Sequence, residues 1–234
     1  MSITFNFNLK NSNEMGIILI KKPTIQRAER DVEKINIPGR SGFLTRMKKT
    51  YREKTIELEC VLKESASIEN VCAWLTGMGK LSFSWETDRE YTVVIANAIP
   101  FEEILKNYKN FIITIDAQPF AHSKIEKELN LNVGTNAINI AGTVYNNPTL
   151  LIEGSGTFKI SVNGKDIQIE TTDNANIDCD LLNACKNDLV TNLNNKLKGN
   201  LADITLLPGQ NNINITVVSG TLLSFRCKYK EAYL

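Results

Sequence analysis

Residues 35–51 read INIPGRSGFLTRMKKTY, and the rest of the chain is organised around them. Ile35 and Ile37 alternate with polar residues until the pattern breaks at Pro38-Gly39. Proline fixes φ and glycine permits φ > 0, so the pair makes a sharp turn and not the middle of a strand. Gly42 adds a second joint after the cationic Arg40-Ser41. Phe43, Leu44 and Met47 then run among Arg46, Lys48 and Lys49 up to Tyr51. Taken alone, these residues fit a basic surface hairpin as well as a loop that docks a partner.

The 234 residues suffice for one large domain or two small ones, each able to bury a core. Its 27 basic and 26 acidic residues leave a net charge of +1, so no global field draws in a polyanion. The balance argues against nucleic-acid binding unless charge is strongly polarised. Some local polarisation exists: residues 48–54 are basic, and Glu57, Glu59, Glu64 and Glu69 follow, an alternation that suits a solvated strand face or a protein partner better than a phosphate track. The N-terminus lacks the basic and apolar regions of a signal peptide, and its longest apolar run is too short to span a bilayer. Five scattered cysteines without CxxC spacing read as reduced, mostly buried thiols.

Periodicity lays out the first half. Phe5, Phe7 and Leu9 share one face of an alternating strand, and residues 17–20 form a more fully buried one. Residues 23–30 are a strand or a bent arm. Ile56, Leu58, Cys60 and Leu62 point inward from a strand over 55–62. Residues 67–77 predict a helix capped by Ser67, with Glu69 in its first turn and Gly77 at its end. Ile68, Val71, Cys72 and Leu75 are its apolar stripe. Residues 80–84 and 91–98 are strands around a polar turn at 86–89. A short helical turn spans 101–107, and a strand over 111–117 is closed by Gln118-Pro119-Phe120.

A charged stretch at 121–128 marks a boundary between domains 1–124 and 125–234. In the second, residues 158–169 (FKISVNGKDIQI) carry the clearest local signal, because Asn163-Gly164 demands a two-residue type I′ hairpin turn. That register pairs Val162 with Lys165, Ile160 with Ile167 and Phe158 with Ile169. Residues 150–153, 176–183, 212–218 and 221–229 are further strands, Gly154-Ser155-Gly156 is a turn, and 187–197 is an exposed loop. No repeat at fixed spacing is visible. The pattern fits α+β first and a β-sandwich second.

Catalytic groups are sparse. The single histidine, His122, stands in the linker with no nucleophile motif beside it, and no GxSxG, HExxH or P-loop occurs. Asp178 and Asp180 have the spacing of a calcium or acid–base pair, but no third carboxylate accompanies them, which favours charges that protect a strand edge. Trp74 and Trp85 fit core and rim packing better than a sugar-stacking platform. No metal and no cofactor is expected, and no enzyme.

The chain resembles the distal tail proteins (Dit) of long-tailed bacteriophages. The likeness rests on Ile37-Pro38-Gly39-Arg40-x-Gly42, on Tyr51-x4-Ile56-x-Leu58, on Trp74-Leu75 leading to Gly79-Lys80-Leu81, and on FIITIDAQPF at 111–120. It continues through Asn147-Pro148-Thr149-Leu150, Glu153-Gly154, the VNGK hairpin, residues 177–180 and Leu207-Pro208-Gly209-Gln210-Asn211-Asn212. The Asn-rich segment between Asp180 and Leu206 has no fixed family pattern to match. The resemblance implies a mainly β fold with minor α: an N-terminal α+β ring-forming domain, split-barrel-like, then a C-terminal galectin-like β-sandwich. It implies a homo-hexamer ring in the virion, at the phage tail tip, assembled in the host cytoplasm. The implied partners are the tail tube protein, the tail-tip hub protein and the tape measure protein, with DNA passing unread through the channel and no membrane contact. Arg40, Phe43, Arg46, Tyr51 and Arg52 are the candidate interface residues, and the strand over 55–62 is expected to offer an edge for strand addition. The alternative is a carbohydrate-binding module or adhesin that uses the C-terminal sandwich.

Overall fold

Alternating apolar residues build the buried strands Phe5–Phe7, Ile17–Leu19 and Lys54–Lys63 of the first of two units. The computed structural model describes residues 3–97, 99, 101–105 and 108–234. One unit runs to His122 and includes Leu234, and the other spans Ser123–Tyr233. The first holds β1 (Phe5–Phe7), β2 (Lys10–Asn11), β3 (Ile17–Leu19), β4 (Arg30–Asn36), β5 (Phe43–Tyr51) and β6 (Lys54–Lys63). After α1 (Ile68–Trp74) come β7 (Gly77–Phe83), β8 (Glu86–Ile95), β9 (Phe101–Leu105) and β10 (Tyr108–Ser123). The main sheet has the order β2-β1-β7-β8-β10-β6-β3, with β9 against β10. β4 and β5 pair only with each other among the described residues.

Ile56, Leu58, Cys60 and Leu62 are buried as their alternation predicts. Ser67 caps α1 by accepting from the Asn70 N–H (3.3 Å), while Val71 and Leu75 face inward. Trp74 stacks on Phe5 (5.8 Å), meets Phe7 edge-on, and donates its indole N–H to the Phe7 carbonyl (3.1 Å). That is the packing role expected of it.

Several expectations change. Leu9 is fully exposed, because Asn8 and Leu9 adopt positive φ in the turn from β1 to β2. Residues 17–20 alternate between buried and exposed instead of being buried throughout. Cys72, on the predicted stripe, is exposed. The residues of the supposed polar turn at 86–89 open β8, and the turn falls at Ser84-Trp85, where Trp85 stacks on Phe83 (4.6 Å). Residues 101–105 form a strand, not a helical turn, and Asn107 lies outside the described residues. Pro119 sits inside β10, but the ladder with β6 ends at Ala117↔Lys54, so it interrupts no bond to β6. β10 pairs β6 over its whole length, whereas β3 covers only Cys60–Leu62 on the other side, so among the described residues the expected edge narrows to 54–59.

The second unit holds β11 (Lys127–Asn130), β12 (Gly134–Ile140), β13 (Thr149–Val162), β14 (Lys165–Thr171), β15 (Asn174–Asp178), β16 (Asn183–Cys185), β17 (Leu197–Gly199), β18 (Gly209–Tyr229) and β19 (Ala232–Tyr233). Its sheet runs β11-β18-β13-β14-β17, with β12 also on β18 and β15 between β13 and β16. Leu150, Ile152, Phe158, Ile160, Ile167, Ile169, Ile177, Ile213, Ile215 and Phe225 enter one core. The hairpin register is the one the Asn-Gly turn dictates, from Val162↔Lys165 to Phe158↔Ile169, with Asn163 and Gly164 both at positive φ. Two expected strands prove to be the continuous β18, and Gly154-Ser155-Gly156 lies within β13 instead of forming a turn. Residues 187–197 are a tight connection with a 3-10 turn at Asn194–Lys196.

Candidate functional site

The stretch that opened the sequence is a two-stranded arm. Ile37-Pro38-Gly39-Arg40 closes a β-turn in which the Arg40 N–H donates to the Ile37 carbonyl (3.1 Å) and Gly39 has φ +81°. Proline second and glycine third is the requirement of a type II turn. The ladder pairs Asn36↔Phe43, Ile35↔Leu44, Lys34↔Thr45, Glu33↔Arg46 and Val32↔Met47. Cross-strand partners share a face, so Val32, Lys34, Phe43 and Met47 line one side and Glu33, Ile35, Leu44 and Arg46 the other. Neither side is covered. Ile35, Ile37, Phe43, Leu44 and Met47 are all exposed, Phe43 by 49% and Met47 by 67%.

The base is anchored differently. A register shift between Arg30 and Val32 opens the ladder there. The Arg30 Nε–H donates to the Lys48 carbonyl (3.1 Å), and the Arg30 guanidinium lies over Tyr51 (5.7 Å). Tyr51 packs edge-on against Phe120 of β10 (5.2 Å). Asp31 accepts from Lys48 (3.0 Å) and Arg52 (3.2 Å), and these hydrogen bonds hold its carboxyl below the usual range.

The predicted interface residues therefore separate by position. Arg40 and Phe43 sit at the tip, with the Lys34 ammonium 4.8 Å from the Phe43 ring centre. Arg46 stands mid-arm, 3.9 Å from Glu33. Tyr51 and Arg52 belong to the base. The sequence reading missed the first strand, with Asp31, Val32, Glu33 and Lys34. Val32 falls out of step with Ile35 and Ile37, so no alternation announces it. The pairing with β5 reveals it.

From Arg30 to Arg52 the arm carries seven basic residues and two acidic ones, a net +5, which leaves −4 on the remainder of the chain. Beside the base, Lys21, Arg27, Glu29, Arg52, Glu53 and Glu57 line part of an open cleft of about 480 Å³. Asp178, once a candidate ligand, instead accepts from the backbone N–H groups of Asp180 and Leu181 (both 2.9 Å) and shapes a turn, while Asp180 takes a bond from Asn147 (3.0 Å). Among the described residues no group of three His, Cys, Asp or Glu has the geometry to hold a metal. Burial pushes the Cys60, Cys179 and Cys227 thiols up to about 12, so they stay protonated at neutral pH.

Residues 7–117, which contain the arm and its anchoring sheet, match the family model of the phage tail protein RIFT-related domain. This segment is a phage tail domain. Over its full length the chain also superposes on the crystal structure of the Dit protein of phage SPP1, described as a paradigm of the hub of the adsorption apparatus in phages that infect Gram-positive hosts. The match covers 100% of both chains with a TM-score of 0.77 and 12% identity. The chain thus has the distal tail protein fold, and the resemblance carried by its motifs is borne out. No curated protein matches its sequence.

Proposed function

We propose that this phage tail protein is a distal tail hub that closes into a homo-hexameric ring at the tail tip. In this reading the ring joins the tail tube protein to the tail-tip hub protein, and its channel passes the tape measure protein and then DNA. The observation that carries it is the arm. An isolated two-stranded ribbon is marginal in water, so one that exposes five large apolar side chains needs a surface to receive it. Completing the burial of these half-covered side chains is worth roughly 5 kcal/mol per arm.

Arm and receiving surface differ, so the contact is heterologous, and such contacts make a ring when the rotation closes. Charge supports the same arrangement. With +5 on the arm and −4 elsewhere, identical chains attract head to tail. Arg40, Phe43 and Arg46 meet the neighbour, whereas Tyr51 and Arg52 hold the arm to its own sheet. The function is structural, and it resides in surfaces.

Light scattering on the purified chain is expected to give six times the 26.2 kDa of one chain. Replacing Leu44 and Met47 together with glutamate is expected to abolish the six-chain assembly with unchanged circular dichroism. A wild-type chain that stays at 26.2 kDa at high concentration overturns the ring. If that monomer also binds cell-wall glycan, the carbohydrate-binding alternative stands instead.

A further inference from the structure

Residues 133–140, VGTNAINI, and residues 208–215, PGQNNINI, are two copies of one motif. Glycine, asparagine, isoleucine, asparagine and isoleucine coincide at 134/209, 136/211, 138/213, 139/214 and 140/215. The geometry coincides as well. The Asn136 carboxamide accepts from the Asn132 N–H (3.0 Å) and donates to the carbonyls of Asn132 (2.7 Å) and Gly134 (3.1 Å). Asn211 accepts from the Leu207 N–H (2.8 Å) and donates to the carbonyls of Leu207 (2.7 Å) and Gly209 (3.0 Å). Gly134 and Gly209 both take positive φ, +96° and +89°. The repeat escapes a search for regular spacing because it occurs only twice.

The two copies pair with each other. Gly134 lies opposite Ile215, Ala137 opposite Asn212, and Ile140 opposite Gly209. The ladder is therefore pseudo-symmetric about Ala137↔Asn212. The motif is its own antiparallel complement.

One copy, within β18, lies between β12 and β13. The other, β12, pairs only with β18 among the described residues, so its second edge is open. In an antiparallel strand alternate residues aim their N–H and C=O groups at opposite edges, so part of the β12 backbone presents unpaired groups. Two other outer strands carry charge: β11 has Lys127 and Glu128, and β17 has Lys198. Residues 134–140 contain no charge and no proline, and Thr135, Ala137 and Asn139 are exposed. The usual devices that blunt a sheet edge are missing from this one.

We propose that β12 is a self-pairing edge. Two copies of the chain join antiparallel through it, with Ala137 opposite Ala137 of the second copy, and form one continuous sheet across two C-terminal units. The register is the one the internal ladder already uses, with Gly134 opposite Ile140. This contact is isologous. It is independent of the arm and of the ring, and it links chains in pairs whatever ring they belong to.

Cysteine cross-linking tests it in a Cys72→Ser background, which removes the exposed native thiol. Positions that face each other across a two-fold ladder have Cβ atoms about 5 Å apart. Mild oxidation is expected to convert most of an Ala137→Cys chain to a disulfide dimer on a non-reducing gel. Thr135→Cys mixed with Asn139→Cys should cross-link several-fold more than either alone. Dimer yield from Ala137→Cys no higher than from Thr172→Cys, an exposed site on another loop, overturns the proposal. So does equal yield from the mixed and single variants at 135 and 139. Independently, Ala137→Lys sets like charges face to face, and pairing measured by light scattering should weaken at least tenfold with unchanged circular dichroism. Undiminished pairing of that variant overturns the proposal too.

Discussion

Asn211 is 1% exposed, yet every polar atom of its carboxamide is engaged: it holds the turn at 207–209 and accepts from Asn163 (2.7 Å). Removing one partner from buried hydrogen bonds leaves the others unsatisfied, which costs about 1–3 kcal/mol. Asn211→Ala is therefore expected to destabilise the C-terminal unit by about 3 kcal/mol in a denaturant titration. Asn136→Ala, at a half-buried site, should cost about 1 kcal/mol. Equal losses would mean that burial is not what gives the motif its weight. Glu231 gives a pH signature. Hydrogen bonds from Lys127 and Tyr233 hold its carboxyl below the ordinary 4.5. A depressed carboxylate stabilises above its unfolded pKa, and that contribution is lost as pH falls through the folded value. The thermal midpoint is thus expected to drop below pH 4.5 more steeply in the wild type than in Glu231→Gln. The sequence marked Leu207–Asn212 as a family turn but could not separate Asn211 from Asn212. Adjacent asparagines look alike until the strand sets one inward and the other out.

At the scale of elements, local chemistry was legible wherever it acts locally. The helix cap at Ser67, the Asn-Gly hairpin register and the Pro-Gly turn all follow from neighbouring residues. Gly154-Ser155-Gly156 did not, because its cause lies across the sheet. A Cβ on Gly154 would sit 2.3 Å from the Thr221 carbonyl oxygen, one on Gly156 2.0 Å from that of Ser219, and one on Gly220 2.0 Å from that of Ser155. These glycines let β13 and β18 approach where their register shifts, between Glu153 and Gly154 and between Thr157 and Phe158. The obstruction is backbone, so no rotamer change relieves it. Gly156→Ala and Gly220→Ala are each expected to cost more than about 3 kcal/mol or to prevent folding of the unit. Gly164→Ala meets nothing within 4 Å and pays only for its φ of +80°, about 1 kcal/mol. Thermal melts of the three variants check that order, and a Gly156→Ala as mild as Gly164→Ala would contradict the close approach.

For the whole molecule, the net charge of +1 concealed the feature that matters most. A global sum cannot show that +5 sits on one ribbon and −4 on everything else. The mainly β class and the family likeness were readable from motif order, whereas the arm's first strand needed the pairing to appear. The polarity makes a kinetic prediction for assembly of the proposed ring. Complementary charge accelerates encounter more than it deepens final affinity, and salt shortens its reach from about 10 Å at 0.1 M to about 3 Å at 1 M. Apolar contacts at Phe43, Leu44 and Met47 do not weaken in that way. Assembly from monomer, followed by light scattering, is therefore expected to slow at least tenfold between these salt concentrations, while rings already formed persist. Arg40→Glu combined with Arg46→Glu removes four units of positive charge difference from the arm and should assemble slowly at both. If the wild type assembles equally fast in both salts, the arm does not find its neighbour by charge, and its apolar faces alone must account for the ring.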